Sequence, residues 1–262
     1  MTIHPTAIIE GNAILGENVT VGAFTVIESG ATIGNGCEIG ANVVIRGGTE
    51  LGCDCGIHTG AVLGEPPQDA KYDDEDTYLI IGDRNIIREY TTIHRATGNG
   101  NATILGDDNM LMAYTHAGHN CRLGSNILIA NSAGLSGHVT IEDNVTIGGL
   151  VGIHQYVTIG QRAMVGGMSK IVRDIPPFCM VEGNPAEVRG LNTVGLRRQG
   201  VSSENRMELK RAYRLLFRSE YNTTEALEEI EKELRQTDEI QYLAAFLRAM
   251  DEGYAGRQND PH

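Results

Sequence analysis

The chain has 262 residues, of which 41% are hydrophobic and 21% charged; 33 are Gly, only 4 are Phe and none is Trp. Its 21 Lys and Arg against 34 Asp and Glu leave a net charge of −13, which excludes broad electrostatic attraction to nucleic acid or to an anionic membrane. No apolar run reaches the roughly 18 residues that a transmembrane segment needs, and the start MTIHPTAIIEG has no basic stretch followed by an apolar one, so a soluble, cytoplasmic protein is expected.

From Ile3 the chain repeats every six residues. Stepping by six gives Ile9, Leu15, Val21, Ile27, Ile33, Ile39, Ile45, Leu51, Ile57 and Leu63, then Ile81, Ile87 and Ile93, then Leu105 through Ile171. Of the 29 slots from 3 to 171, 26 are apolar and 25 are Ile, Leu or Val. The exceptions, Asp69, Glu75 and Asn99, mark looped insertions near 65–79 and 96–103. Gly follows the slot at Gly16, Gly22, Gly34, Gly40, Gly52, Gly106, Gly124, Gly148 and Gly160, where a small residue lets the backbone turn a corner. A six-residue unit is too short for a helix pair and suits short strands wound into a prism, which is a parallel β-helix of hexapeptide repeats. Three hexads per coil stack residues 18 apart at roughly 4.8 Å. The pattern is silent on hand, and the usual crossover rule favours right-handed winding.

The repeat stops at Asp174-Ile175-Pro176-Pro177, which divides the chain into a β-helix over 1–176 and a helical domain over 177–262. Helices are predicted over about 203–219, 223–236 and 239–252. Asn222 with Glu225, and Asp238 with Gln241, have capping-box spacing at two of the starts. The polar tail after Gly253 is expected to fray. The five Cys (37, 53, 55, 121 and 179) are odd in number and form no CxxC pair, which points to neutral thiols and away from a disulfide framework or a cysteine zinc site.

Four of the eight His lie between 116 and 154. Subtracting one coil puts His138 over position 120, and subtracting two puts His154 over position 118, so with His119 three imidazoles fall within one residue of one column. His116 lies about one strand pair away. None occupies the inward slot, so they project outward along a groove spanning roughly 10 Å of the axis. Imidazole, with an ordinary pKa of about 6.5, suits general-base work at neutral pH; clustered His also suits zinc. Both readings stand at this point. No GxSxG elbow, Walker loop or HExxH is present. Gln68-Asp69-Ala70-Lys71 sets a carboxylate and an ammonium on the first insertion. Positive charge gathers over Arg189 to Arg198 and on one helix face at Lys210, Arg211, Arg214 and Arg218, a surface for an acidic partner.

These residues resemble a known family. The hexads through 176, Ile81-Gly82-Asp83-Arg84-Asn85, Thr92-Ile93-His94-Arg95, Gln68-Asp69 with Lys71-Tyr72, the run His116 to Cys121, Gly137-His138, His154-Gln155 and the helical C-terminal third are similar, collinearly over the chain, to the acyl-ACP:UDP-N-acetylglucosamine O-acyltransferases. The resemblance implies a left-handed parallel β-helix assembled as a homotrimer, with sites between neighbouring subunits. It also implies transfer of a 3-hydroxyacyl group from acyl carrier protein to the glucosamine 3-hydroxyl of UDP-N-acetylglucosamine, the first step of lipid A synthesis, without metal or cofactor. By the same resemblance His119 is the general base and the Gly137 N–H the oxyanion donor. Asp69, Lys71, His138 and His154 hold the sugar with Gln68 close by, while His116 and Arg198 sit by the diphosphate. Asn192 and Gln155 lie toward the nucleoside or the pantetheine arm, and Gly167 leaves a deep pocket for a longer acyl chain. Asn120 stands where the family often has Asp, and Val194 where some members place Glu. The alternatives are a zinc-dependent γ-type carbonic anhydrase on the same fold, the N-acyltransferase of the same pathway, and a non-catalytic scaffold.

Overall fold

Strand register reproduces the hexad arithmetic. Thr20 pairs with Glu38 and Glu38 with Gly56, steps of 18 residues, whereas Gly56 pairs with Ile86 and Ile86 with Met110, steps of 30 and 24. The two longer steps exceed a coil by two hexads and by one hexad. They therefore absorb the three polar slots Asp69, Glu75 and Asn99 and return the chain to the repeat in phase. Outside the strands run residues 66–77, between Val62–Glu65 and Tyr78–Ile81, and residues 95–101, between Thr92–His94 and Ala102–Leu105.

The computed structural model describes residues 1–253 and 256–259. Successive short strands pass in turn to three sheets of 11, 9 and 8 strands. All pairs inside the repeat are parallel, and the architecture is the left-handed parallel β-helix followed by helices. The slot residues fill the prism: Ile27, Ile45, Ile87, Ile93 and Leu111 are fully buried. A second buried ladder runs down one corner through Cys37, Cys55, Asn85, Asn109 and Ile127. The two Asn are tolerated there because every group is paired. Asn85 Nδ2 donates to Gly82 O and Gly106 O, its Oδ1 accepts from Asn109 N, and Asn109 Oδ1 accepts from Ile127 N. Burial pushes the Cys121 and Cys179 thiols up to about 12, so they are neutral.

The glycines after the slots do a different job from the one expected. A Cβ at Gly22 would lie 2.5 Å from Gly40 C, and one at Gly34 would lie 2.5 Å from Gly52 C. These positions are bare because adjacent coils touch there. The left-handed backbone falls two residues later, at Asn18, Asn42, Asp54, Asn126 and Asn144, where Asx residues tolerate positive φ.

Beyond the last coil, Cys179–Gly183 pairs in parallel with Met164–Val165 and antiparallel with Ala186–Leu191. Among the described residues four α-helices follow: α1 (Thr193–Arg198), α2 (Ser203–Arg218), α3 (Thr223–Glu233) and α4 (Asp238–Asp251). They enclose their own core around Phe178, Leu196, Leu209, Ile230 and Ile240. At six residues, α1 is too short to leave a period in the sequence. Asn222 and Glu225 form the complete capping box at α3. At α4 the cap is Thr237, whose Oγ1 accepts from Ile240 N, and not Asp238. Gly256–Asn259 makes a 3₁₀ turn with Arg257 N donating to Asp174 Oδ2 at 3.0 Å; the rest of the expected frayed tail, 254–255 and 260–262, lies outside the described residues.

Candidate active site

The site lies along the nine-stranded sheet. Thr92, His116, Gly134, Gly152 and Lys170 are register partners in turn, and their side chains point outward because the neighbouring slot residues point in. A Cβ on Gly134 or Gly152 would meet nothing within 4 Å. Between His116 and Lys170 the sheet is therefore a smooth floor, the base of a cleft of about 600 Å³ walled by Gln68, His94, His116, His119, Gly137 and His154.

His119 stands at the cleft's edge and lines a second cavity of about 500 Å³ as well, with Gln68, Asp69, Lys71, Glu75, Thr97, His138 and Gln155. The insertion 66–77 supplies one side of that second cavity, from Gln68 to Lys71 and at Glu75. Its turn is set by Asp69, whose Oδ1 accepts from Lys71 N at 2.9 Å and whose carbonyl accepts from Tyr72 N. The His119 ring is held by Asn120, with 2.8 Å between Nδ1 and Oδ1. Its Nε2 faces Gly137, where a Cβ would lie 2.5 Å away. Only glycine at 137 leaves room for this imidazole. The Gly137 N–H meets no acceptor among the described residues. His138 packs edge-on to His119, with centroids 5.2 Å apart, and stacks flat on Tyr156 at 4.5 Å.

The electrostatics favour the neutral form of His94, His116 and His138. Burial, then the neighbouring His119, lowers His116 and His138 below the ordinary imidazole value. His94 is buried, and burial followed by the charge of His116 brings it down to about 4. His94 meets His116 edge-on at 4.9 Å. Its role is not apparent in the sequence, because the column arithmetic was confined to the unbroken repeat after 105. Stepping back from His154 through 136 and 118, then 24 residues across the second insertion, lands on His94.

The site residues expected from the sequence divide into two groups. Gln68, Asp69, Lys71, His116, His119, Gly137, His138, His154 and Gln155 are brought together around the two cavities. Asn192, Arg198 and Gly167 line neither. Asn192 caps α1, accepting from Gly195 N and donating to Arg162 O, and Arg198 is exposed in the last turn of α1. Gly167 is exposed at a corner beside Met168. No group of three or more His, Cys, Asp or Glu is placed to hold a metal ion among the described residues.

Comparison with known proteins follows the same lines. Residues 174–255 match the family model described as UDP N-acetylglucosamine O-acyltransferase, domain 2. The acyl-[acyl-carrier-protein]–UDP-N-acetylglucosamine O-acyltransferase of Alkalilimnicola ehrlichii is 51% identical, over 96% of this chain and 98% of its own. That of Aliarcobacter butzleri is 47% identical over 94% of each. Among solved structures, LpxA from Acinetobacter baumannii has a TM-score of 0.91 at 39% identity, covering 95% of this chain and 97% of its own. The UDP-N-acetylglucosamine acyltransferase from Bacteroides fragilis has a TM-score of 0.92 at 37% identity, covering 94% and 96%. These matches fall on the O-acyltransferase and not on the zinc enzyme or the N-acyltransferase. The chain belongs to the acyl-[acyl-carrier-protein]–UDP-N-acetylglucosamine O-acyltransferase family.

Proposed function

We propose that this chain transfers a 3-hydroxyacyl group from acyl carrier protein to the glucosamine 3-hydroxyl of UDP-N-acetylglucosamine, the opening step of lipid A synthesis. The observation that carries the reading is the place of His119 on the wall shared by two cavities. The long, smooth-floored cleft suits the acyl and pantetheine arm. The smaller cavity, with Asp69, Lys71 and His138, suits a sugar with hydroxyls to both accept and donate.

In this mechanism His119 Nε2 takes the proton of the 3-hydroxyl as its oxygen attacks the thioester carbonyl. The new C–O bond yields a tetrahedral oxyanion, which the free Gly137 N–H stabilises. Collapse breaks the C–S bond, and the imidazolium returns its proton to the departing pantetheine sulfur. No covalent enzyme intermediate, metal or cofactor is required, since the donor is already the phosphopantetheine thioester. Gln68 and His154 flank the reacting groups. His116 takes the diphosphate side, its Nδ1 being tied at 2.7 Å to Thr92 Oγ1.

Asn192, Arg198 and Gly167 reach such a site only from a neighbouring subunit, which fits a homotrimer. A row of exposed apolar corners, Phe24, Tyr90, Tyr114, Leu150 and Met168, supports self-association. In this reading the β-helix, 1–176, carries the chemistry. The helical part, 177–262, presents Lys210, Arg211, Arg214 and Arg218 to acidic acyl carrier protein in the cytoplasm. The test is His119→Ala: a fall of 10²–10⁴ in kcat is expected, and unchanged turnover overturns the assignment of the base.

A further inference from the structure

The second insertion, residues 95–101, touches the base indirectly. Asn120 Oδ1 accepts from Thr97 N at 2.9 Å, and Asn120 Nδ2 donates to Thr97 O at 3.1 Å. A backbone N–H only donates and a backbone carbonyl only accepts. These two contacts therefore fix which end of the amide is oxygen, without reference to the histidine. Asn120 is held further by its own N–H, which donates to Thr103 Oγ1 at 2.8 Å. The oxygen so fixed lies 2.8 Å from His119 Nδ1. An amide oxygen has no proton to give, so Nδ1 must carry one.

We propose that Asn120, clamped by the backbone of Thr97, is a positioning residue that holds His119 in the Nδ1–H tautomer, leaving the Nε2 lone pair aimed past Gly137 at the acceptor hydroxyl. The device selects the tautomer with a neutral partner, where a carboxylate would also bind the protonated ring. It is matched to this loop, because an aspartate at 120 would set a carboxylate oxygen against the Thr97 carbonyl. The other titratable groups facing the ring are His94, His116 and His138, with Asp69, Lys71 and Glu75 across the smaller cavity. The inference rests on His119 being the base, and its test is read in part without turnover.

Nitrogen-15 spectra of the imidazoles in the free protein, with His119 assigned through His119→Gln, report the tautomer directly. The wild type is expected to show neutral His119 protonated at Nδ1. In Asn120→Ala that preference is lost, with at least about a 10-fold fall in kcat, against the ~10⁴ that a wrong tautomer costs a serine-protease triad. Thr97→Val removes only the hydroxyl that also reaches Oδ1 and keeps the Nδ1–H signal. Asn120→Asp moves the acid limb of the kcat/KM profile up by about 1 pH unit, because a carboxylate favours the charged ring. An Nε2–H majority in the wild type, an unchanged tautomer in Asn120→Ala, or a lost one in Thr97→Val overturns the proposal. If the wild type transfers no acyl group, the activity reading fails, and the spectra still decide the tautomer.

Discussion

Gly137→Ala isolates the geometry of the base. The new Cβ would lie 2.5 Å from His119 Nε2 and 2.6 Å from Cε1, where ordinary contact begins at 3.4 Å. The ring must retreat by about 1 Å, a displacement that typically costs about 10² in rate, or about 2.7 kcal/mol in the barrier. It has nowhere to go without loss, since Asn120 holds Nδ1 at 2.8 Å and His138 packs against the ring. The backbone itself accepts alanine, as φ at 137 is not among the positive values. The Gly137 N–H is retained, so the oxyanion donor survives and only the base is displaced. Steady-state acyl transfer and thermal unfolding should be measured together, with Gly190→Ala as the control, where a Cβ meets nothing within 4 Å. A fall of about 10² in kcat in a folded protein is expected. A folded Gly137→Ala enzyme within about threefold of wild type would refute the reasoning.

Acid should destabilise the fold through His94. Its folded pKa of about 4 lies below the ordinary 6.5, so in that window the unfolded chain binds more protons. Stability is complete above about pH 6.5 and declines toward pH 4 by at most about 1.4 kcal/mol per pH unit for this group; a urea midpoint unchanged between pH 7 and 5 would contradict the burial argument. Thr237→Ala should cost about 1 kcal/mol through the lost α4 cap, whereas Asp238→Ala stays within about 0.5 kcal/mol; denaturant melts separate the two. Replacing Lys210 and Arg214 with Glu should raise KM for acyl carrier protein about tenfold at low salt with kcat unchanged, and an unmoved KM would remove that face as the docking surface.

The β-helix is legible in the sequence because each hexad shows one aliphatic slot, and because both insertions are whole numbers of hexads, so the phase survives them. What a residue does within the hexad is less legible. The glycines after the slots and the Asx residues two positions later both look like turn formers, and only coil-on-coil distances separate close approach from positive φ. Thr237 and Asp238 are both good caps on paper, and the choice depends on which backbone leaves the helix first. In the site, the three His of the unbroken repeat could be placed by counting. His94 lies on the far side of the second insertion, whose length sets the offset. The contact of Thr97 with Asn120 arises where that insertion folds back onto the coil, and no periodicity encodes it. Asn192, Arg198 and Gly167 line neither cavity of the chain, so its own geometry gives them no place in the site.

The most direct test of the central claim is an acyl-transfer assay with UDP-N-acetylglucosamine and 3-hydroxyacyl carrier proteins of graded length. The account predicts an ester on the sugar 3-hydroxyl, made fastest with the longer donors because Gly167 adds no side chain, and made about 10²–10⁴-fold more slowly with His119→Ala. Failure to acylate that sugar with any donor of the series would contradict it.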